Sequence, residues 1–216
     1  MFLVPYYGLG ALMDPTRGDL VAGLGDVTGE WQLARIRGRL RSTAIGRRFL
    51  ADRPLISEAS LRLDELRRLP DGTLGREYAR YMTDHAFSAD DRAAVKFILC
   101  PETAYVMARY RQVHDFWHVL CDLPPTVLGE VALKWFEWKL TGLPVAGFSS
   151  LLGPLKLTPP EARALLTVYL PWSRQARCSC EELLAFRYED NLHRTVDDLR
   201  THLGIEKAPS INELKP

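Results

Sequence analysis

The sequence lacks a long apolar run: nothing in its 216 residues approaches the roughly 18 consecutive apolar residues of a membrane-spanning helix. It also lacks a charge surplus. Lys and Arg number 28 against 27 Asp and Glu, a net charge of +1, so nucleic acid is not a partner to expect. Cysteine is sparse, and Cys100, Cys121, Cys178 and Cys180 suggest no disulfide framework in a chain this long. Cys178-Ser179-Cys180 is a CxC without a second pair and reads as structural or incidental. The glycines between Leu20 and Gly29 form no GxGxxG fingerprint, and no strand precedes them. Apolar–polar alternation is almost absent and there are no internal repeats. What remains, 47% hydrophobic and 25% charged, is the composition of an ordinary globular chain. The expectation is an all-α, single-domain helical bundle over residues 1–205, followed by a flexible C-terminal tail over 206–216.

Periodicity divides the chain further. Residues 1–13 are uncharged and have no basic n-region, so they read as a first packed helix, with insertion into a membrane interface as the alternative. Asp14-Pro15 and Asp19 mark a turn, and Gly29 closes the next segment. Between 29 and 52, Trp31, Leu33, Ile36, Leu40, Ile45, Phe49 and Leu50 recur at threes and fours and predict a helix. The arginines among them (Arg35, Arg37, Arg39, Arg41, Arg47, Arg48) read as a solvated face. Residues 53–75 are broken by Pro54 and by Pro70-Asp71-Gly72, apart from a short helix after Asp64. Another helix begins at Glu77, and Ser88-Ala89-Asp90-Asp91 resembles a helix N-terminus. Pro101 opens a long helix to about 123 and Thr126 another to Thr141, with Lys134, Glu137 and Lys139 on its polar side. Residues 145–157 are apolar and glycine-rich and are expected to fill the core. Helices then follow from Thr158 to Leu170 and from Glu181 to Leu203, with Pro171 between them.

The rest is organised around His114–Glu130, HDFWHVLCDLPPTVLGE. His114, Asp115 and His118 fall at about 0°, 100° and 40° around a helix, on one face. Leu123-Pro124-Pro125 must end that helix, because proline has no N–H to donate. A second helix after so short a link folds back as an antiparallel hairpin and brings Glu130 to the histidines. A histidine pair at i, i+4 also occurs by chance on packed or exposed helices. Here its neighbours Val113, Phe116, Trp117, Val119 and Leu120 are apolar, and buried ionisable groups need a partner such as a cation. His114, Asp115, His118 and Glu130 are therefore the candidate metal ligands, on the central hairpin. Two imidazoles disfavour Mg²⁺ or Ca²⁺ and favour Zn²⁺, with Fe²⁺ or Mn²⁺ as alternatives. Four protein ligands would close a tetrahedral zinc, so catalysis there needs a fifth position or a ligand that detaches.

The pattern HDxxH, eleven residues, then E resembles the signature of the coenzyme Q (ubiquinone) biosynthesis protein 4 family. Leu74-Gly75-Arg76-Glu77-Tyr78, Tyr110-Arg111-Gln112-Val113, Leu128-Gly129-Glu130 and Lys134-Trp135-Phe136-Glu137 are similar too. So are Val21–Gly29, Thr141-Gly142-Leu143-Pro144 and Leu170-Pro171-Trp172, which extends the likeness over roughly residues 9–205. The resemblance implies a helical zinc protein whose ligands and catalytic residues are His114, Asp115, His118 and Glu130. It implies removal of the C1 carboxylate from a polyprenylated 4-hydroxy-3-methoxybenzoate precursor, in some accounts with hydroxylation of that carbon. It further implies a peripheral protein of the mitochondrial inner membrane, matrix side, within a complex of coenzyme Q biosynthesis proteins; a homodimer is a further partner to consider. An Arg-rich transit peptide precedes this core in mitochondrial members. None precedes Gly8 here, which points to a processed or truncated form or to a bacterial branch. Two other readings compete: a non-catalytic scaffold that binds polyprenyl lipids, and a His-Asp phosphohydrolase, for which His85 is the one further candidate.

Overall fold

The computed structural model describes residues 3–13 and 17–210; the turn expected at Asp14-Pro15 and residues 211–216 lie outside them. It is all-α, as the sequence predicts, and among the described residues the one β-type pairing is an isolated bridge between Thr73 and Thr195. The first helix, α1 (Leu3–Met13), packs along the long α2 (Gly18–Ser42). Glycine 29 does not close a segment, because α2 runs straight through Gly23, Gly25 and Gly29. Two of these glycines are crossing points. A Cβ on Gly23 would enter the Tyr7 ring, and one on Gly25 would crowd Met107 and Val145. The expected 29–52 helix is broken at Thr43, whose hydroxyl caps α3 (Ala44–Asp52) by accepting from Gly46 N at 3.0 Å.

Two one-turn helices, α4 (Glu58–Leu61) and α5 (Leu63–Leu66), lead to α6 (Leu74–Asp84). No helix follows Ser88; residues 85–100 are turns and coil. Their backbone is satisfied instead by side chains. Asp26 accepts from Lys96 N at 2.9 Å, Arg92 donates to Ala89 O and Arg111 to Ala93 O, each at 2.7 Å. Pro101 then opens α7 (Pro101–Cys121), and after a five-residue link α8 (Val127–Thr141) starts on the Thr126 cap and ends on left-handed Gly142.

The apolar 145–157 stretch is only half core. In α9 (Pro144–Leu152) and the following 3₁₀ turn, Val145, Ala146 and Ser150 are buried, whereas Phe148, Leu151 and Leu155 face outward. Next, α10 (Pro159–Ala164) widens into a π-helical turn, Leu165–Tyr169, ahead of α11 (Leu170–Ser173), which contains Pro171. The helix expected over 181–203 is two, α12 (Cys180–Ala185) and α13 (Val196–Leu203). Fully buried Arg109 ends the first of them, donating to Leu184 O at 3.2 Å and Phe186 O at 2.7 Å. Residues 206–210 are not a loose tail either. Ala208 is buried and its N–H donates to Cys121 O at 2.8 Å, while Trp172 Nε1 donates to Glu206 O at 2.9 Å.

Of the arginines expected on a solvated face, Arg35, Arg39, Arg41, Arg47 and Arg48 are exposed and Arg37 is half-buried, and several are paired. Arg37 donates to Cys100 Sγ at 2.6 Å and Thr103 at 3.0 Å, Arg39 pairs with Glu181, and Arg41 reaches Glu102 at 2.6 Å. Around α7, one core gathers Leu33, Ile36 and Leu40 of α2, Phe116 and Trp117 of α7, Phe136 of α8 and Tyr188. Helices α7 and α8 are antiparallel. Tyr110 and His114 meet Glu137 late in α8, whereas His118 meets Glu130 early in it.

Candidate metal centre

On α7 the four-residue step carries His114 and His118 to the side that faces α8, and the short Asp122–Thr126 link sets Glu130 opposite them. His118 Nε2 lies 3.2 Å from His114 Nε2 and 3.1 Å from Glu130 Oε1, and His114 Nε2 lies 3.5 Å from Glu130 Oε2. Ligand atoms on a tetrahedral ion with bonds of about 2.0–2.1 Å lie about 3.3 Å apart, and the separations here are close to that, with Glu130 facing one histidine through each oxygen. Among the described residues these three are the one group of that kind.

The donors also fit a cation chemically. His118 Nδ1 donates to Leu123 O at 2.9 Å, and His114 Nδ1 donates to Glu137 Oε1 at 2.6 Å. Both rings therefore turn an Nε2 lone pair toward each other and toward a carboxylate. Three acceptors in contact need a positive centre between them. Without a metal, a proton takes that place. Burial and the Lys134 ammonium oppose the His114 imidazolium, but Glu137 and the hydrogen bonds to Glu130 and Glu137 outweigh them and lift its pKa to about 9. For Glu130, burial favours the neutral acid, and the two histidines facing it overcome that and hold the carboxyl well below its usual range.

Asp115 is not brought into the triangle. The 100° step from His114 points it toward the 85–100 segment, where Arg92 takes its carboxylate. Two protein groups that were not among the expected ligands stand beside the triangle instead. Glu137, expected on a polar face, is fully buried; it accepts from Lys134 Nζ at 2.7 Å and from the Tyr110 hydroxyl besides His114. Burial works against its charge, yet Lys134 and His114 bring the pKa down to about 2. The spacing of Glu130, Lys134 and Glu137, i, i+4 and i+7, already places them on one stripe of α8. The second group is Tyr81 of α6, whose ring stacks on His118 with centroids 5.4 Å apart. Burial first, then the Asp115 and Glu130 charges, push its phenol far above the usual range, so it stays protonated. Tyr81, His85 and His118 line one wall of a cleft of about 430 Å³, with Asp122, Arg200 and Lys207 around it. His85 stands edge-on to Tyr81 at 5.1 Å and is not part of the ligand triangle.

The chain is similar to known proteins over nearly its whole length. The chain is 40% identical over 209 residues to the mitochondrial ubiquinone biosynthesis protein COQ4 of Yarrowia lipolytica, covering 96% of this chain and 80% of that one. It is 38% identical to the Schizosaccharomyces japonicus protein of the same name over 217 residues, covering 100% and 91%. A crystal structure of a Nostoc punctiforme protein superposes with a TM-score of 0.71 at 20% identity, over 95% of this chain and 98% of that one, a likeness of fold. The family model described as coenzyme Q (ubiquinone) biosynthesis protein Coq4 matches residues 1–209, and the chain belongs to that family.

Proposed function

We propose that this protein acts in ubiquinone biosynthesis as a metal-dependent carboxy-lyase, removing the C1 carboxyl from a polyprenylated 4-hydroxy-3-methoxybenzoate. The observation that carries the reading is the triangle of His114, His118 and Glu130, three protein ligands rather than four. Three ligands with a position left over are the pattern of catalytic zinc sites, whereas closed four-ligand sets are structural. A divalent cation held there would supply Lewis acidity toward the substrate carboxylate or an adjacent oxygen.

The chain's own residues supply the rest. In the reaction a proton adds at C1, opposite the ring hydroxyl; the bond from C1 to the carboxyl carbon breaks, its electron pair restores the aromatic ring, and CO₂ leaves. Glu130 is the most exposed of the three and lies 3.1 Å from His118 Nε2, so this pair would be the route by which a proton passes from solvent to the substrate. The Tyr81 phenol, kept protonated between the Asp115 and Glu130 charges, is suited to donate a hydrogen bond to the substrate headgroup. Arg92 offers a cation to a carboxylate wherever Asp115 releases it.

The polyprenyl tail calls for a lipid surface. No described helix is long and apolar enough to cross a membrane, but α1 exposes Leu3, Val4, Tyr6, Leu9 and Met13, and α9 exposes Phe148 and Leu151. Such faces support peripheral attachment, which we place at the matrix side of the mitochondrial inner membrane with other coenzyme Q biosynthesis proteins. The same faces favour a second reading, a carrier that presents the lipid to other enzymes.

One assay separates the two. The purified protein, loaded in turn with Zn²⁺, Fe²⁺ or Mn²⁺, is incubated with a prenylated 4-hydroxy-3-methoxybenzoate in air, and carboxyl loss is followed by mass spectrometry. Turnover that stops on chelation and returns with metal is the expected result. Tight binding without turnover under every metal would refute the lyase and leave the carrier.

A further inference from the structure

We infer that Glu137 is a positioning residue for the metal centre: it sets the tautomer of His114, and Lys134 and Tyr110 hold it in place to do so. The inference rests on the metal reading proposed above. It starts from an asymmetry between the two histidines. His118 is oriented by a backbone carbonyl five residues ahead of it, Leu123 O, at 2.9 Å. His114 has no backbone partner for its Nδ1; it depends on a side chain from a different helix, Glu137 Oε1, at 2.6 Å.

A carboxylate accepts and does not donate, so a proton on Nδ1 is required, and the Nε2 lone pair is left for the metal. The carboxylate itself has little freedom. It is fully buried, one oxygen is taken by His114, and the other accepts from Lys134 Nζ at 2.7 Å and from the Tyr110 hydroxyl. Fixing both oxygens fixes the carboxylate plane, and with it the plane of the imidazole. Lys134 adds a second constraint. Its ammonium lies 3.4 Å from His114 Nδ1, so without Glu137 between them a cation would face the ring edge directly.

The competing reading is that Glu137 only ties α7 to α8. The two differ in what a neutral isostere does. In Glu137→Gln the amide oxygen can serve either His114 or the Lys134–Tyr110 side, and the amide NH₂ then opposes donors on the other side. The helices keep a side chain of the same size. His114 then has no fixed tautomer, and the one that points N–H at the ligand triangle becomes accessible.

The test uses the full chain. Long-range ¹⁵N–¹H spectra of the zinc-loaded wild type identify which ring nitrogen of His114 carries the proton; Nδ1 is expected, and a proton on Nε2 overturns the inference without any variant. Zinc affinity is then measured against a chromophoric chelator, with helicity followed by circular dichroism. Glu137→Gln is expected to bind zinc about 10- to 100-fold more weakly at unchanged helicity. Tyr110→Phe, which keeps the Glu137–His114 bond but removes one of the donors that hold Glu137, is expected to weaken zinc binding by a smaller factor than Glu137→Gln does. Wild-type affinity in folded Glu137→Gln overturns the inference alone. A wild type that binds none of the metals overturns the metal reading and takes the inference with it.

Discussion

Replacing Gly129 with alanine should damage the metal centre without touching a ligand. Gly129 lies in the first turn of α8, and a Cβ there would fall inside the van der Waals envelope of the Pro124 carbonyl oxygen. That obstacle is backbone, so it cannot swing aside; the Asp122–Thr126 link must move by about 1 Å, a shift that at a reacting centre costs ~10²-fold in rate. Two parts of the site flank this contact. On one side Leu123 O holds His118 Nδ1, and on the other Glu130 N donates to Thr126 O at 2.8 Å. Thr126 also caps the helix by accepting from Gly129 N at 3.1 Å. Overpacking costs about 1–3 kcal/mol and a weakened cap about 1 more. For a chain of this size the sum corresponds to a fall in Tm of roughly 5–15 °C. Thermal denaturation and zinc competition on Gly129→Ala would show both losses. Gly38→Ala is the control: it lies in α2 with nothing near its would-be Cβ and should be neutral or stabilising by about 0.4–1 kcal/mol. A Gly129→Ala protein with wild-type Tm and zinc affinity, or a Gly38→Ala protein equally damaged, would refute the reasoning.

Three further outcomes follow from the site. Stripped of metal, the protein has a His114 pKa raised from 6.5 to about 9, so that contribution to stability is complete below 6.5 and disappears as pH rises through about 9. The loss is on the order of 3 kcal/mol at 1.36 kcal/mol per pH unit, readable as a falling urea midpoint. Zinc affinity should rise over the same interval because binding expels the proton, and a flat profile in both would contradict the assignment. Asp115→Asn should keep near wild-type zinc affinity, since Asp115 pairs with Arg92, whereas Glu130→Gln should lose it; calorimetric titration giving the reverse order would place Asp115 on the metal. Of the four thiols, Cys100 should be the first alkylated in native protein, because Thr103 and Arg37 lower its pKa while burial raises those of Cys121, Cys178 and Cys180. Mass spectrometry finding Cys121 modified first would overturn that order.

The sequence by itself determined the features whose causes are local. Helical periodicity without strand alternation made the fold all-α; Pro101 and Thr126 marked helix starts because each governs its own backbone. The triangle of His114, His118 and Glu130 was legible for the same reason. An i, i+4 pair and a short proline link leave little room for another arrangement. What faces what across helices was not legible, because azimuth relative to a partner depends on packing. Asp115, next to a candidate ligand, went to Arg92; Glu137, on the same stripe of α8 as Glu130 but carrying the charge of a surface residue, went to the interior; Tyr81 arrived from a helix some thirty residues upstream. Segment 85–100 reads as a helix start at Ser88 and residues 206–210 as a loose tail, yet both are irregular backbone that Asp26, Arg111 and Cys121 O secure through hydrogen bonds from distant parts of the chain. The three candidate ligands were thus fixed by spacing along one hairpin, and the groups around them were decided only when other surfaces closed on it.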